Sequence, residues 1–482
     1  MKRLILIVVL CGLSTGSFAH LGSSGFAINS PKKIFDIRDF GAVGDSSTLN
    51  TKAIQDAIDA CTANGGGTVW VPAGNYVIGT IELKSNVTLS LDYGASLLGS
   101  HDRTDYPIHN LRPAREGNAE CLFYAEDATN IRFEGLGVID GRGYPEVFPK
   151  SSGPGGKDNR PRLIRFENCS NLTFSGLTYK NPAFWGIHLV DCKGVHFNGV
   201  TVQFRDNGSN NDGLDLDGCQ NVLIENSDIN AGDDAICLKS SLNPCRNFVI
   251  RNCIVSSNTA PVKFGTSSYG GFIDVDITNC YFYDSPMGAI KLQSVDGGRL
   301  ENVNISRITM EGVGSPVFIR LGKRGRVYAE SKIEEEKTKE RIGTIKNIKI
   351  SDIKATVEVL RHQRGVDTTG VEVPPEETTD REWAKAGPIM ITGIPGHNIE
   401  NVTLENIDIS YPGGLPPEKI NMEIPEDEDR YPEQFFFGVL PAWGAYIRHA
   451  EDIQFKNVNM TKRSNDKREM IVTEDVEGFV NQ

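Results

Sequence analysis

The chain has 482 residues, with 50 Lys and Arg, 63 Asp and Glu, and a formal net charge of −13. This length and a hydrophobic content of 39% are enough to bury a full core, which excludes a chain that is mainly disordered. The acidic balance argues against nucleic acid as a partner, because proteins that bind nucleic acid carry a basic surface.

The first 19 residues have the pattern of a secretory signal peptide. Two basic residues precede an apolar run from Leu4 to Leu13, and Ser17 and Ala19 form a small-x-small cleavage site. A run of this length is too short to span a bilayer, and no later segment is apolar for long enough to do so. We expect cleavage near His20 and a secreted or periplasmic protein. A buried N-terminal strand is the alternative.

Residues 50–61 are predicted to form an amphipathic helix. Asn50 stands where it can cap the helix, and Gly65–Gly67 end it before the apolar stretch 68–72.

One short phrase is repeated along the rest of the chain. Each copy alternates apolar and polar residues, which indicates a strand with one buried face. The clear copies are 23 to 28 residues apart, and they begin at Asn171, Gly194, Asn221, Asn247, Asp274 and Asn302. Looser copies begin at Asn86, Asn130, Asn347, Asn401 and Asp452. The spacing is too short for propeller blades and lacks the leucine-rich frame, so it predicts an all-β fold, a parallel β-helix.

A β-helix has two open ends, and we expect helix 50–61 to cover the N-terminal one. Residues 20–482 then form a single solenoid domain with inserts near 326–341, 363–385 and 412–434. Insert 326–341 is highly charged, 363–385 is acidic and loop-like, and 412–434 is rich in proline. These inserts are either solvated or shape a substrate cleft.

Nine cysteines remain after removal of the signal segment, an odd number that cannot all pair with one another. Several recur at similar places in the repeated phrase, and no CxxC pair is present. We therefore predict small buried core residues and no structural zinc site.

Alignment of the strand that precedes each copy places polar residues in register. Apolar residues such as Leu214 and Leu216 point inward, and the alternate positions form an outward column. The members of this column are His188, Asp215, Cys237, Lys263 and Lys291.

The same alignment stacks Asp212 on Asp234, with Asp233 beside them, at the roughly 4.7–4.9 Å spacing of neighbouring strands. Read separately, Asn-Asp-Gly and Asp-Asp are ordinary turn signals. Solvated turns do not predict acids on consecutive coils with lysines one and two coils later. Paired carboxylates with different pKa values are what glycosidic bond cleavage requires, so we predict a catalytic acid cluster.

At these residues the chain resembles glycoside hydrolase family 28, the polygalacturonase family of pectin-degrading, right-handed parallel β-helices. The family's Asn-x-Asp element matches Asn210–Asp212, and its Asp-Asp element matches Asp233–Asp234. Segments 39–45, 65–69 and 83–89 are also similar. The resemblance implies that Asp233 is the general acid and that Asp212 and Asp234 hold and deprotonate the attacking water. It implies inversion at the anomeric carbon, with no cofactor and no metal.

Two family elements are altered. The Gly-His-Gly element would fall near Thr259–Pro261, where no His stands, and the Arg-x-Lys element would fall at 289–291, where only Lys291 remains. In the family this Arg and Lys bind a galacturonate carboxylate. We predict that Lys263 replaces part of the missing charge, and Arg320, Lys323 and Arg324 are weaker candidates.

The predicted substrate-binding residues combine the outward column, the family motif and two aromatic residues that stack on sugar rings, Trp185 and Tyr269. The full set is Lys291, Lys263, His188, Trp185, Asn210, Asp215 and Tyr269.

The leading hypothesis is a hydrolase of α-linked galacturonate-containing pectic glycans, with rhamnogalacturonan-type or substituted pectin favoured over polygalacturonan. Exo action would follow if the inserts close one end of the cleft. One alternative is a polysaccharide lyase that uses a Lys or Arg base and Ca²⁺ held by the aspartates. Another is a non-catalytic, glycan-binding solenoid. The sequence does not indicate an oligomeric state.

Overall fold

The structure is a computed structural model that describes residues 33–482, except 108–115, 117–118, 151–159, 206–208, 328–340, 362–370, 372 and 375–376. The predicted signal segment and most of insert 326–341 lie outside the described residues. Among the described residues, no helix is both long and apolar enough to cross a membrane.

The described chain folds into 33 β-strands, and neighbouring strands of its large sheet run parallel. The first sixteen are β1 (Ile34–Asp36), β2 (Asp45–Leu49), β3 (Gly67–Val71), β4 (Gly74–Ile78), β5 (Ile81–Glu82), β6 (Val87–Leu91), β7 (Ala95–Gly99), β8 (Cys121–Glu126), β9 (Thr129–Gly135), β10 (Val138–Asp140), β11 (Arg162–Glu167), β12 (Ser170–Ser175), β13 (Thr178–Lys180), β14 (Ile187–Val190), β15 (Lys193–Asn198) and β16 (Thr201–Gln203). The others are β17 (Leu214–Asp217), β18 (Gln220–Glu225), β19 (Asp228–Ala231), β20 (Ile236–Ser240), β21 (Cys245–Arg251), β22 (Ile254–Ser257), β23 (Val262–Ser268), β24 (Phe272–Ser285), β25 (Ile290–Ser294), β26 (Arg299–Val313), β27 (Val317–Leu321), β28 (Thr344–Val357), β29 (Ile389–Thr392), β30 (Ile399–Tyr411), β31 (Ala442–Lys462), β32 (Glu469–Glu477) and β33 (Val480–Asn481).

The strands stack in three parallel rows, which confirms the predicted right-handed parallel β-helix. The row that carries the site, called the site row here, consists of β5, β8, β11, β14, β17, β20, β23, β25, β27, β29, the first part of β31, and β32. A second row runs from β1 through β3, β6 and β9 to β21, and a third runs from β2 through β4 to β22. In later coils these two rows merge into long strands such as β26.

The first residue of most repeated phrases stands at a corner of the coil in the left-handed conformation. Asn302, Asn347 and Asn401 have φ values of 59°, 59° and 52°. Their amides form a ladder along the solenoid, in which Asn347 donates to Asn302 at 3.1 Å and accepts from Asn401 at 2.9 Å. Asn recurs because it tolerates this conformation and its side chain hydrogen-bonds locally.

The core lies inside the coil, where the predicted inward residues are buried. Leu214, Ile236, Val262 and Ile290 follow one another in register and are at most 1% exposed. The cysteines that the structure describes are all buried and lie outside disulfides, as predicted.

Helix α1 (Thr51–Ala63) packs against β1, β3 and β5 with its apolar face buried, which confirms the predicted N-terminal capping helix. Asn50 immediately precedes α1, but the expected side-chain cap is wrong. Its amide instead accepts from Val43 N at 2.7 Å and donates to Val43 O and Thr48 O, so it ties down the preceding loop.

The other helices are short. Helix α2 (Asp380–Lys385) lies at the end of insert 363–385, which was expected to be loop-like. Thr379 and Glu382 form a capping box that accounts for it. Short 3₁₀ helices span Ile37–Phe40, Arg103–Asp105, Pro417–Lys419 and Gln434–Phe437.

Substitution of Asn347 tests the corner ladder. We expect Asn347→Ala to lower stability by about 1–2 kcal/mol, because an alanine is strained at this positive φ. Asn347→Gly should lose less, since glycine adopts this conformation freely. Asn304→Ala is the control, because it removes an amide hydrogen bond to Asp276 away from the positive-φ corners. The midpoints of urea unfolding give the order of stability of the variants. A glycine variant as unstable as the alanine variant would contradict the expected order.

Candidate active site

Three carboxylates meet where two neighbouring strands of the site row begin. Asp212 lies just before β17, and Asp233 and Asp234 lie just before β20. Gly213 N donates to Asp234 O at 2.9 Å, so the two turns are held side by side. One oxygen from each of the three carboxylates lies within 4.8 Å of the other two.

The two buried acids of this cluster have pKa values that move in opposite directions. Burial and three neighbouring carboxylates raise the pKa of Asp212 well above its ordinary value. Burial also acts to raise the pKa of Asp234, but three lysine ammonium groups and the Thr259 hydroxyl lower it overall. The cluster therefore favours a proton on Asp212 and a negative charge on Asp234, so that one can donate a hydrogen bond to a water molecule and the other can accept one.

Asp233 is the most accessible of the three acids, being half-buried. Its Oδ1 accepts from Asp234 N at 3.1 Å and from Thr259 Oγ1 at 3.3 Å. Thr259 also donates to Asp234 Oδ1 at 2.7 Å. Where the family's His was expected, this chain thus places a neutral hydroxyl against two of the acids.

The outward column has the predicted register, but its members are buried. His188, Asp215, Cys237, Lys263 and Lys291 pair in this order and are at most 2% exposed. The reason at the lysine end is insert 412–434, whose last residues cover the column.

Glu433 of this insert forms ion pairs with both lysines. Its carboxylate lies 3.3 Å from Lys263 Nζ and 2.5 Å from Lys291 Nζ, and Lys263 also lies 2.9 Å from Asp234. Tyr431 adds a 3.3 Å contact to Lys263. Both ammonium groups that were predicted to bind substrate carboxylates thus already have protein carboxylates as partners.

Trp185 lines the cavity, and two cations lie close to its ring. Lys239 Nζ lies 4.3 Å from its ring, and the Arg162 guanidinium lies 4.9 Å from it. Lys239 is 3.5 Å from Asp215, a fully buried carboxyl whose pKa burial raises to about 7. His188 packs edge-on against Trp185, 5.0 Å between ring centroids.

The three acids open into a cavity of about 650 Å³. Of the predicted site residues, the cavity is lined by Trp185, Asn210, Asp212, Asp233, Asp234 and Lys263. The structure does not place His188, Asp215, Tyr269 or Lys291 on its walls. Tyr269 lies instead under Arg341, 4.6 Å from its guanidinium, so its position gives no support to a stacking role.

Sequence reasoning missed several residues on the cavity walls. Lys239 stands two residues after Cys237 on the same strand, so the alternation that selected the outward column also indicates Lys239. The others come from turns or inserts, where no periodicity signals a position, and they include Thr259, Lys385, Tyr431 and Glu433.

Within the described part of the chain, the only cluster of acidic, His or Cys side chains spaced to hold a metal ion is this same group of three aspartates. Lys263 already provides a cation for Asp234. The ionised form of Asp234 is therefore stabilised by the chain's own residues.

Comparison with known proteins identifies the family and supports the fold. The model of the glycosyl hydrolases family 28 matches residues 61–380, which is more than half of the chain. A probable polygalacturonase of Vitis vinifera is 31% identical over 57% of this chain, and an exo-poly-alpha-D-galacturonosidase of Dickeya chrysanthemi is 29% identical over 55%. The chain spans 60% and 53% of the length of these two relatives.

The fold matches that of a solved family 28 exopolygalacturonase of Yersinia enterocolitica. The TM-score is 0.68 at 22% identity, with 93% of this chain and 78% of the other covered. The matched segment 61–380 contains Asp212, Asp233 and Asp234, together with Thr259 and Lys291. The chain therefore belongs to glycosyl hydrolases family 28.

Proposed function

We propose that this protein is a glycoside hydrolase that cleaves α-linked, galacturonate-containing pectic glycans with inversion at the anomeric carbon. The observation that carries the proposal is the group of three carboxylates at one cavity wall, with one carboxyl favoured in the protonated and one in the ionised form. The polygalacturonase names of the relatives support the substrate class.

In the proposed reaction Asp233 donates its proton to the glycosidic oxygen as the bond from this oxygen to the anomeric carbon breaks. Its half-burial at the cavity wall supports this role. A water molecule attacks the anomeric carbon from the opposite face and gives its proton to Asp234. Asp212 orients this water, and exchange with solvent returns the catalytic groups to their starting protonation.

The spacing of the acids is consistent with inversion only when the third carboxyl group is taken into account. Two carboxyl groups about 5–5.5 Å apart are typical of retaining enzymes, and inverting pairs are about 6.5–9.5 Å apart. The nearest oxygens here fall within 4.8 Å, which by itself favours retention. The ion pair with Lys263 makes the Asp234 carboxylate a weaker nucleophile. Asp212 and Asp234 together offer one water molecule a hydrogen-bond donor and a hydrogen-bond acceptor.

A lyase on the same scaffold has less support. Its base must be a neutral amine or guanidine near the substrate. Burial acts to lower the pKa values of Lys239 and Lys263, but their acidic neighbours raise them well above the usual range. Both side chains are therefore held as cations.

Exo action and export are part of the proposal. Residues of two inserts, among them Lys385 and Tyr431, line the cavity and bound the space for substrate.

The pattern of residues 1–19 supports a cleavable signal peptide. The mass of the protein recovered outside the cytoplasm should correspond to a chain that begins near His20, and a full-length mass would contradict cleavage.

Asp233→Asn tests the general acid. We expect kcat on galacturonate oligosaccharides to fall by about 10³-fold or more, because proton donation to a sugar leaving group is lost. Binding of the oligosaccharide should persist. With an aryl galacturonide, whose leaving group needs little protonation, the loss should be much smaller.

Asp234→Asn is the matched variant for the base, and it should lose activity on both substrates. Equal losses for the two variants on the aryl substrate would contradict the assigned roles. Turnover of neither substrate by the unmodified protein, with binding retained, would favour the non-catalytic solenoid.

Lys263→Met tests the charge that keeps Asp234 ionised. Removal of an ammonium group 2.9 Å away should raise the pKa of Asp234, so the ionised base is lost at a higher pH as the solution is acidified. We expect the acidic limb of the kcat/KM profile to move up by about 1 pH unit or more. Lys323→Met, which removes an ion pair with Glu428 outside the cavity, is the control. An unmoved limb would contradict the role of Lys263.

A further inference from the structure

Lys385 is a buried cation on the cavity wall. It is the last residue of α2, and it is 6% exposed. Among the residues that the structure describes, no carboxylate forms an ion pair with its Nζ and no atom accepts a hydrogen bond from it. Its recorded contact is with the face of Phe435, 5.9 Å from the ring centroid.

The carboxylates nearest to Lys385 are committed elsewhere. Glu382, one turn earlier on α2, accepts two hydrogen bonds from Thr379 at 2.9 Å and lies 4.0 Å from Arg361. Glu433 is shared between Lys263 and Lys291. Neither acid therefore neutralises Lys385 by direct contact.

Such an arrangement is costly unless a ligand supplies the missing charge. A buried ammonium group is seldom left without a partner, because burial favours its neutral form. Burial and the nearby Arg381 lower the pKa of Lys385 to about 8. Arg381 lines the same cavity one turn earlier, with its guanidinium 4.6 Å from the Phe435 ring, so it adds a second positive charge.

We propose that Lys385, assisted by Arg381, binds the carboxylate of a uronate unit of the substrate. The proposal rests on the proposed function, and it relocates carboxylate recognition within the same cavity. The family resemblance placed carboxylate recognition at Lys263 and Lys291. Both of these lysines are neutralised by Glu433 and Asp234. On the cavity wall, an incoming carboxylate meets an unpaired cation at Lys385 and one that is already paired at Lys263.

Binding to an inactive background separates this inference from catalysis. With Asp233→Asn as the parent, calorimetry would compare a galacturonate trisaccharide with its methyl ester. Lys385→Met should weaken binding of the free acid by at least about tenfold, the usual effect of losing a charge-assisted hydrogen bond. It should change binding of the ester by less than about twofold. Lys385→Arg, which keeps the charge, should retain part of the preference for the acid.

Lys419→Met is the matched control. Lys419 pairs with Asp380 at the other end of α2 and does not line the cavity, so this variant perturbs the helix without removing the proposed contact. The thermal midpoint of Lys385→Met should be equal to or above that of the parent, because an unpaired buried charge has been removed.

The outcomes are distinct. Unchanged binding of the acid by Lys385→Met would overturn the inference, and so would equal losses for acid and ester, which would indicate a structural role. If Lys385→Met binds the acid as the parent does and the unmodified protein hydrolyses its substrate normally, only the inference about Lys385 is overturned and the proposed hydrolase function stands. Release of an unsaturated uronide, with turnover lost in Lys385→Met, would assign Lys385 as a lyase base and overturn both proposals.

Discussion

The structure depends on keeping each coil in register with the next. Strands about 4.7–4.9 Å apart bring residues at equivalent positions of successive coils into contact. Left-handed corners such as Asn347 turn the chain at equivalent positions of successive coils, and the amide ladder links one corner to the next. A slip of one residue would turn every inward side chain outward, so the buried face holds the register as strongly as the corners do.

Register also explains how a costly site is maintained. The turns before β17 and β20 overlap because Leu214 and Ile236 pair inside the solenoid. Three acids are thereby held within 4.8 Å of one another, an arrangement that would repel if all were ionised. The next two coils place Lys263 and Lys291 beside them, and a raised pKa at Asp212 removes one of the charges. The positions of these residues along one row of strands thus determine which carboxyl group is favoured in the protonated form and which in the ionised form.

The sequence was sufficient for this part of the account because a two-residue alternation repeated over many coils is a strong signal. It predicted the solenoid, its capping helix, and the pairing of Asp215, Cys237, Lys263 and Lys291. It did not predict that these positions would be covered. The burial of Lys263 and Lys291 depends on contacts with Glu433 and Tyr431, and Glu433 lies 142 residues beyond Lys291 in the chain.

Nothing in an aperiodic segment indicates which coil it will contact, so the neutralisation of the lysines and the unpaired charge of Lys385 could only be seen in three dimensions. The sequence showed that residues 259–261 contain no His, but it did not show what stands there in the site. Thr259 provides a hydroxyl to both Asp233 and Asp234 from that position. The predicted Asn50 cap was also wrong because of an aperiodic segment. The Asn50 side chain hydrogen-bonds to Val43 in the loop before the helix instead of to the helix itself.

We propose that Asp234, kept ionised by Lys263, activates water rather than attacking the sugar. The anomeric configuration of the first product, followed by proton NMR in the first minutes of hydrolysis of an α-linked galacturonate oligosaccharide, tests it most directly. We expect the β-anomer to appear first and then to mutarotate. Initial formation of the α-anomer would show retention and would contradict it.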